Sequence, residues 1–157
     1  MQRQPHDMDT TTHEPSVKPA FSEVVENIVR STRATGHRVR RRADKGELIR
    51  IFFLEVAFLA TLSDWGAVRA VELARIYALG YSRSTAFIVG IAAALMHGAD
   101  PPGFVTVIDI NCLRPGRSHT RTLPAVQIPG GVEVPAATVR FHRQQLPPGW
   151  SIFQEGV

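Results

Sequence analysis

The chain has 157 residues, of which 44% are hydrophobic and 20% are charged, a composition typical of one folded domain and unlike that of a disordered or fibrous protein. Eighteen lysines and arginines against fourteen acids give a formal net charge of +4, which favours an anionic partner such as nucleic acid. The single Cys112 excludes an intramolecular disulfide framework. No uninterrupted apolar segment reaches the roughly 20 residues of a membrane span, and the N-terminus does not read as a signal peptide. We therefore expect a soluble, cytoplasmic protein.

The first 46 residues divide into two predicted parts. Residues 1–20 are polar and interrupted by prolines, which predicts a disordered tail. Within the unit 21–46, apolar residues spaced three and four apart predict a short helix over 21–29. The basic run that follows, 30–45, contains two glycines and is predicted to be a loop or arm.

Two helices are predicted next. Asp44 and Glu47 have the spacing of a capping box, and the segment 48–62 is apolar almost all round. Such a helix must be covered on several sides, so we expect it to be the central core helix or to be covered partly by a second subunit. This helix is predicted to end at Ser63, and a further helix is predicted over 67–79.

The second half of the chain combines one more helix with strands. The hydroxyl-rich start at Ser82 predicts a helix over 83–97 that stops before Gly98. Alternating β-branched residues then predict a strand over 103–113, a basic turn and an antiparallel return strand over 118–123. Further strands are predicted at 125–128, 132–134 and 137–142, the first two joined by a turn at Pro129-Gly130-Gly131.

Helices followed by a hairpin with a basic tip have the order of a winged helix-turn-helix. The sequence contains Glu72-Leu73-Ala74, the helix start Ser82-Arg83-Ser84-Thr85, and a strand that is followed by an Arg-rich turn and a Thr-Arg-Thr-Leu return strand. Through these features, over about residues 50–123, the sequence resembles winged-helix DNA-binding regulators of the MarR type. The resemblance implies a homodimer that binds a pseudo-palindromic operator as a transcriptional regulator. We thus expect an α+β fold, with a winged-helix domain at 47–125 and a C-terminal β extension at 126–157.

The candidate site is a surface for double-stranded DNA. A helix start with free amides and hydroxyls can hold a phosphate, and a basic turn without acids can contact the backbone. Each group also has a purely structural explanation. Residues 82–85 could be an N-cap, residues 114–121 a solvated hairpin tip and residues 38–45 a solvated loop. The predicted DNA contacts are Ser82, Arg83, Ser84, Thr85, Arg114, Arg117, His119, Arg121, Arg38, Arg40, Arg41 and Arg42.

Two other functions compete with DNA binding. Phe87, Ile88 and Ile91 would give the helix 83–97 an apolar outer face, which cannot hydrogen-bond to bases and would suit a protein partner in a larger assembly. An enzyme is a weaker alternative, whose first sign would be a perturbed carboxylate or histidine in a deep pocket. Because no catalytic, phosphate-loop or zinc-binding motif is present, we expect no catalytic residue, cofactor or metal.

Overall fold

The computed structural model describes residues 18–30, 32–51, 54–57, 62–80, 86–113 and 117–143, without the side chains of 54–57 and of Gly80. Over these residues the protein is a mixed α+β structure. The helices are α1 (Phe21–Glu26), α2 (Gly36–Asp44), α3 (Asp64–Gly80) and α4 (Gly90–Met96). The strands are β1 (Ile28–Val29), β2 (Leu48–Ile51), β3 (Leu54–Ala57), β4 (Ala86–Val89), β5 (Val107–Cys112), β6 (His119–Leu123), β7 (Val126–Gln127), β8 (Glu133–Val134) and β9 (Ala137–Arg143).

Helix α3 is the centre of the fold. Its first turn is capped by Ser63, whose Oγ accepts a hydrogen bond from the amide of Gly66 at 3.1 Å. Every residue from Gly66 to Ile76 is buried, and the helix packs against β2, β3 and β4. The predicted helix over 67–79 is therefore confirmed, although it begins at Asp64. Ser63 belongs to its start and does not end a preceding helix.

The segment 48–62 was wrongly predicted to be the central helix. It contains β2 and β3, which pair antiparallel with each other, and β3 also pairs with β1. By periodicity alone, a buried strand that is rich in Ile, Val and Phe cannot be told from a buried helix. In this segment residues 48–51 and 54–57 are strands. In β2 only Arg50 is exposed, while Leu48, Ile49 and Ile51 are buried.

The helix predicted over 83–97 is wrong over residues 86–89, and residues 83–85 lie outside the described part of the chain. Residues 86–89 form β4, and the helix occupies only 90–96. Phe87, Ile88 and Val89 favour an extended strand, and Gly90, with φ +68°, supplies the left-handed backbone that turns the strand into α4. The predicted stop is confirmed, because α4 ends just before Gly98.

The basic run 30–45 forms a helix over part of its length, contrary to the predicted loop. Helix α2 covers residues 36–44 and ends in a Schellman motif, with the Gly46 amide donating to Ala43 O and the Glu47 amide donating to Arg42 O, both at 3.0 Å. Gly46 has the required positive φ of 75°. The supposed capping box of a following helix is thus the end of the preceding one. The first predicted helix, over 21–29, is likewise shorter and gives way to β1.

The strand pairing differs from a β-hairpin wing. The larger sheet has the order β4-β5-β9-β6, in which β9 is parallel to β5 and antiparallel to β6. β5 and β6 lie where strands were predicted, but β9 from the C-terminal segment is inserted between them. The smaller hairpin β7–β8 and the last strand are confirmed. The predicted α+β class is confirmed. The winged helix is not confirmed, because residues 86–89 are a strand and β5 does not pair with β6.

Charged side chains of α3 fasten the connecting segments to the core. Arg69, which is 0% exposed, donates to Glu72 Oε2 at 2.6 Å, to Asp100 Oδ1 at 2.8 Å and to the carbonyl of Gly103 at 3.1 Å. Glu72 Oε1 in turn accepts a hydrogen bond from the Val105 amide at 2.7 Å. These buried charges are paired with one another and with the backbone, so they serve the fold.

Arg75 makes a second bridge, six residues further along α3. It donates to the carbonyl of Pro124 at 2.6 Å and to that of Pro135 at 2.8 Å. Those two residues flank the β7–β8 hairpin, so a single guanidinium holds both of its ends against the central helix. Burial lowers the pKa of Arg75, and the charge of Glu72 opposes this shift.

No helix in the described part of the chain is long and apolar enough to cross a membrane.

Candidate nucleic-acid interface

The predicted DNA contacts are distributed over two elements. Ser82, Arg83, Ser84, Thr85 and Arg114 lie outside the described residues. The four predicted arginines of the basic run, Arg38, Arg40, Arg41 and Arg42, lie on α2, whereas Arg117, His119 and Arg121 lie on or next to β6. Helix α2 packs on β2 and β6 pairs with β9, so the two groups belong to different parts of the fold.

The exposed face of α2 carries a row of cations. Val39, only 4% exposed, anchors the opposite face of the helix in the protein. Arg38, Arg41 and Lys45 are three and four residues apart, so they are neighbours on one face, and all three are exposed. We call these three residues the α2 cationic row. None of them has an ion pair or a side-chain hydrogen bond among the residues that the structure describes.

Neighbouring cations are treated differently from the row. Arg42 pairs with Glu47 and Arg50 pairs with Asp44, each at 3.1 Å, and all four side chains are well exposed. The two acids of this region are therefore already occupied. Arg40 is exposed on the side of the helix between Val39 and the row.

The charge of this region accounts for the charge of the protein. Residues 36–50 contain six arginines and lysines and two acids, an excess of four that equals the formal net charge of the whole chain. Cations in the last turn, Arg41 and Arg42, also interact favourably with the helix dipole. The helix dipole does not explain Arg38, because Arg38 lies in the first turn, where a positive charge is not favoured. No acid is present in that turn.

The basic residues of β6 lie on one face of an edge strand. Side chains alternate along a strand, so His119 and Arg121 project to the same side, and Arg117 precedes His119 by two residues. All three are exposed. The ring of His119 lies nearly parallel to that of Phe141 on β9, with 4.5 Å between the centroids and 12° between the planes.

The opposite face of the same sheet carries a cluster that the sequence did not predict. Asp109 on β5 accepts two hydrogen bonds from Arg140 on β9, both at 2.7 Å, and its Oδ1 lies 2.7 Å from His142 Nε2. The hydrogen bonds from Arg140 lower the pKa of Asp109, and the same contact raises the pKa of Arg140. The polar positions alternate in both sequences, but only the parallel register of β5 and β9 brings them together.

We expect Asp109→Asn to lower the free energy of unfolding by about 0.5–1 kcal/mol at neutral pH, since the partner Arg140 is half exposed and water screens the pair. The pKa of Asp109 lies below its ordinary value of 3.8, so the stabilisation is complete above that value and is lost as the pH falls through the lowered pKa. Urea unfolding of wild type and variant should differ at pH 6 and converge in strong acid. An equal difference at both pH values would contradict this origin.

The apolar face that would suit a protein partner is not formed. Phe87 and Ile88 are half-buried in β4, and Ile88 packs against the core. Ile91, on α4, is 46% exposed. These residues therefore do not share one helix face. Among the residues that the structure describes, no group of histidine, cysteine and acidic side chains could hold a metal ion, and Cys112 is buried.

No family model, curated protein or solved structure matches this chain. The fold and its surface define a small α+β protein whose excess positive charge is concentrated on and around one short helix. A functional assignment therefore depends on that surface and on the basic face of β6.

Proposed function

We propose that the protein binds double-stranded DNA, with the α2 cationic row as its principal contact. The observation that supports this function is the set of exposed cations, Arg38, Arg41 and Lys45, without an acidic partner in the described structure. Lysine and arginine side chains that neutralise phosphates supply the sequence-independent part of DNA affinity. The segment 36–50 around this row has an excess of four positive charges, which suits that role.

The geometry of the row fits a run of phosphates. Lys45, the C-cap of α2, lies seven positions after Arg38, which corresponds to about 10 Å along the helix axis. Phosphates follow one another every 3.4 Å or so of axial rise on each DNA strand, so the row spans several of them. Val39 fixes the helix on the protein, so the cations are presented from a rigid element.

The sequence predicted that a helix over 83–97 lies in the major groove of DNA and that the basic wing contacts the backbone. In this proposal α2 is the main DNA-contacting element instead. The protein acts by binding and without catalysis, as a cytoplasmic homodimer that regulates transcription, the role implied by the resemblance to MarR-type regulators. A dimer would present two cationic rows to one duplex and so contact more phosphates than one chain does.

The test is a fluorescence-anisotropy titration of a random-sequence duplex over a range of salt concentrations. Wild-type affinity should fall steeply with salt. In Arg38→Gln/Arg41→Gln the slope of log K against log salt should become shallower by about 1.8, because each lost phosphate contact removes about 0.9. Glutamine has a helix propensity close to that of arginine, so α2 should persist, and circular dichroism checks this.

A matched control removes two positive charges elsewhere. In Lys18→Gln/Arg30→Gln the net charge changes equally, but neither residue is on α2: Lys18 donates to the carbonyl of Ala99 and Arg30 to the hydroxyl of Tyr77. We expect the control to keep most of the wild-type slope. The proposal fails if wild type does not bind duplex DNA at low salt, or if the control variant flattens the slope as much as the α2 variant.

A further inference from the structure

We propose that the His119 face of β6 binds single-stranded nucleic acid by stacking one unpaired base on the imidazole ring. This inference adds a second surface to the proposed function and rests on it only for the class of ligand. The surface consists of Arg117, His119 and Arg121, with Phe141 beneath the histidine.

The ring geometry provides a stacking platform. Phe141 is 2% exposed and supports one face of the nearly parallel His119 ring, while His119 itself is exposed. The imidazole is thus held nearly parallel to a buried ring, and the exposed part of His119 can take a stacked base. Unpaired bases stack on such aromatic side chains, including histidine. In a duplex each base is already covered by its neighbours, so this platform selects an unpaired base.

The flanking charges select a polyanion. Arg117 and Arg121 are each two residues from His119, or about 6.6 Å at the rise of a strand. Both are exposed. A nucleotide stacked on His119 would therefore have a guanidinium on either side for the phosphates that precede and follow its sugar. An aromatic peptide would provide no such pair of negative charges.

In the part of the chain that the structure describes, β6 offers an exposed edge along which a nucleic-acid strand could lie. β6 is at the edge of the sheet, and the core reaches only its last residue, Leu123, which is 1% exposed. The first four residues of the strand are exposed. Charged residues on an edge strand also discourage pairing with other chains, which would explain the arginines alone. It does not explain a histidine stacked in parallel on a buried phenylalanine.

The experiment compares His119→Leu with His119→Phe. Both side chains can cover Phe141, but only phenylalanine offers an aromatic face. The probe is a labelled oligothymidylate of about 12 nucleotides, within the usual length of a single-stranded binding site. Loss of one stacked base should weaken binding about 5- to 150-fold in His119→Leu, whereas His119→Phe should remain within about 3-fold of wild type. Urea unfolding confirms that both variants are folded.

The two proposals fail separately. Duplex binding should be unchanged in His119→Leu and reduced in Arg38→Gln/Arg41→Gln. If oligothymidylate binds as tightly to His119→Leu as to wild type, or as weakly to His119→Phe as to His119→Leu, the stacking site is wrong. Duplex binding without any binding of the oligothymidylate would also overturn it and leave the α2 surface standing.

Discussion

Arg69→Met should lower the free energy of unfolding by about 3–5 kcal/mol, because it leaves a buried carboxylate without its main partner. Glu72 is 2% exposed and lies 2.6 Å from the guanidinium. The substitution also removes the donors to Asp100 and to the carbonyl of Gly103. The segment that leads from α4 to β5 would thus keep the hydrogen bond from Val105 to Glu72 but lose its contacts with Arg69.

A double variant separates the cost of an unpaired charge from the value of the pair. Replacing both side chains, in Arg69→Met/Glu72→Met, removes the orphaned carboxylate, so we expect at least about 1 kcal/mol to be recovered relative to Arg69→Met. Recovery should be incomplete, since the Val105 amide loses its acceptor. Urea unfolding followed by tryptophan fluorescence measures all three proteins, and Trp65 reports locally because Arg69 lies 4.4 Å from its ring centroid.

An exposed pair gives the control. Arg50→Met breaks the ion pair with Asp44, in which both side chains are more than half exposed, and should cost less than about 1 kcal/mol. Equal effects of Arg50→Met and Arg69→Met would mean that burial does not govern the strength of the α3 network.

Local signals in the sequence predicted several elements correctly. Helix α3 follows from a long apolar segment with no breaker between Ala67 and Leu79, and the stop of α4 follows from Gly98, which has a φ of +95°. The β7–β8 hairpin follows from Pro129-Gly130-Gly131, where both glycines adopt positive φ. In each case neighbouring residues alone decide the conformation.

The wrong predictions concern segments whose conformation is not decided by the neighbouring residues in the sequence. The segments 48–62 and 86–89 are mostly or wholly apolar, and a buried strand and a buried helix have the same requirement for apolar side chains. Long-range pairing settles the choice: β3 lies between β1 and β2, and β4 pairs with β5. The misplaced wing has the same origin, because β9 can be recognised as a strand but not as the partner of both β5 and β6.

The candidate surfaces were predictable to different extents. The arginines of α2 were identified from composition, but their arrangement in a row required the helix that Gly46 ends. The Asp109 cluster joins residues 31 positions apart and depends on a parallel register that no local pattern specifies. His119 was identified as basic, whereas its stacking on Phe141 follows only from the β6–β9 pairing.

Arg75→Lys should be nearly as disruptive as Arg75→Met, with a loss of about 2–4 kcal/mol, although it keeps the charge. The two terminal nitrogens of the guanidinium donate to Pro124 and Pro135 separately, and one ammonium group cannot reproduce that fork. The first effect should be local, because the β7–β8 hairpin is attached through these two carbonyls. Amide hydrogen exchange should therefore accelerate at Val126 and Val134 more than in β5.

The pKa of Arg75 gives a second reason for a large effect. Burial lowers that pKa, which means that the folded protein already bears a cost for keeping this charge in the core. The charge of Glu72 and the two carbonyl oxygens that accept from the guanidinium offset this cost. A cation that satisfies only one carbonyl retains the cost and loses part of the compensation. If Arg75→Lys unfolds at the same urea concentration as wild type and leaves hairpin exchange unchanged, the bridge between Pro124 and Pro135 does not hold the hairpin, and packing of Val126 and Val134 against the core must do so.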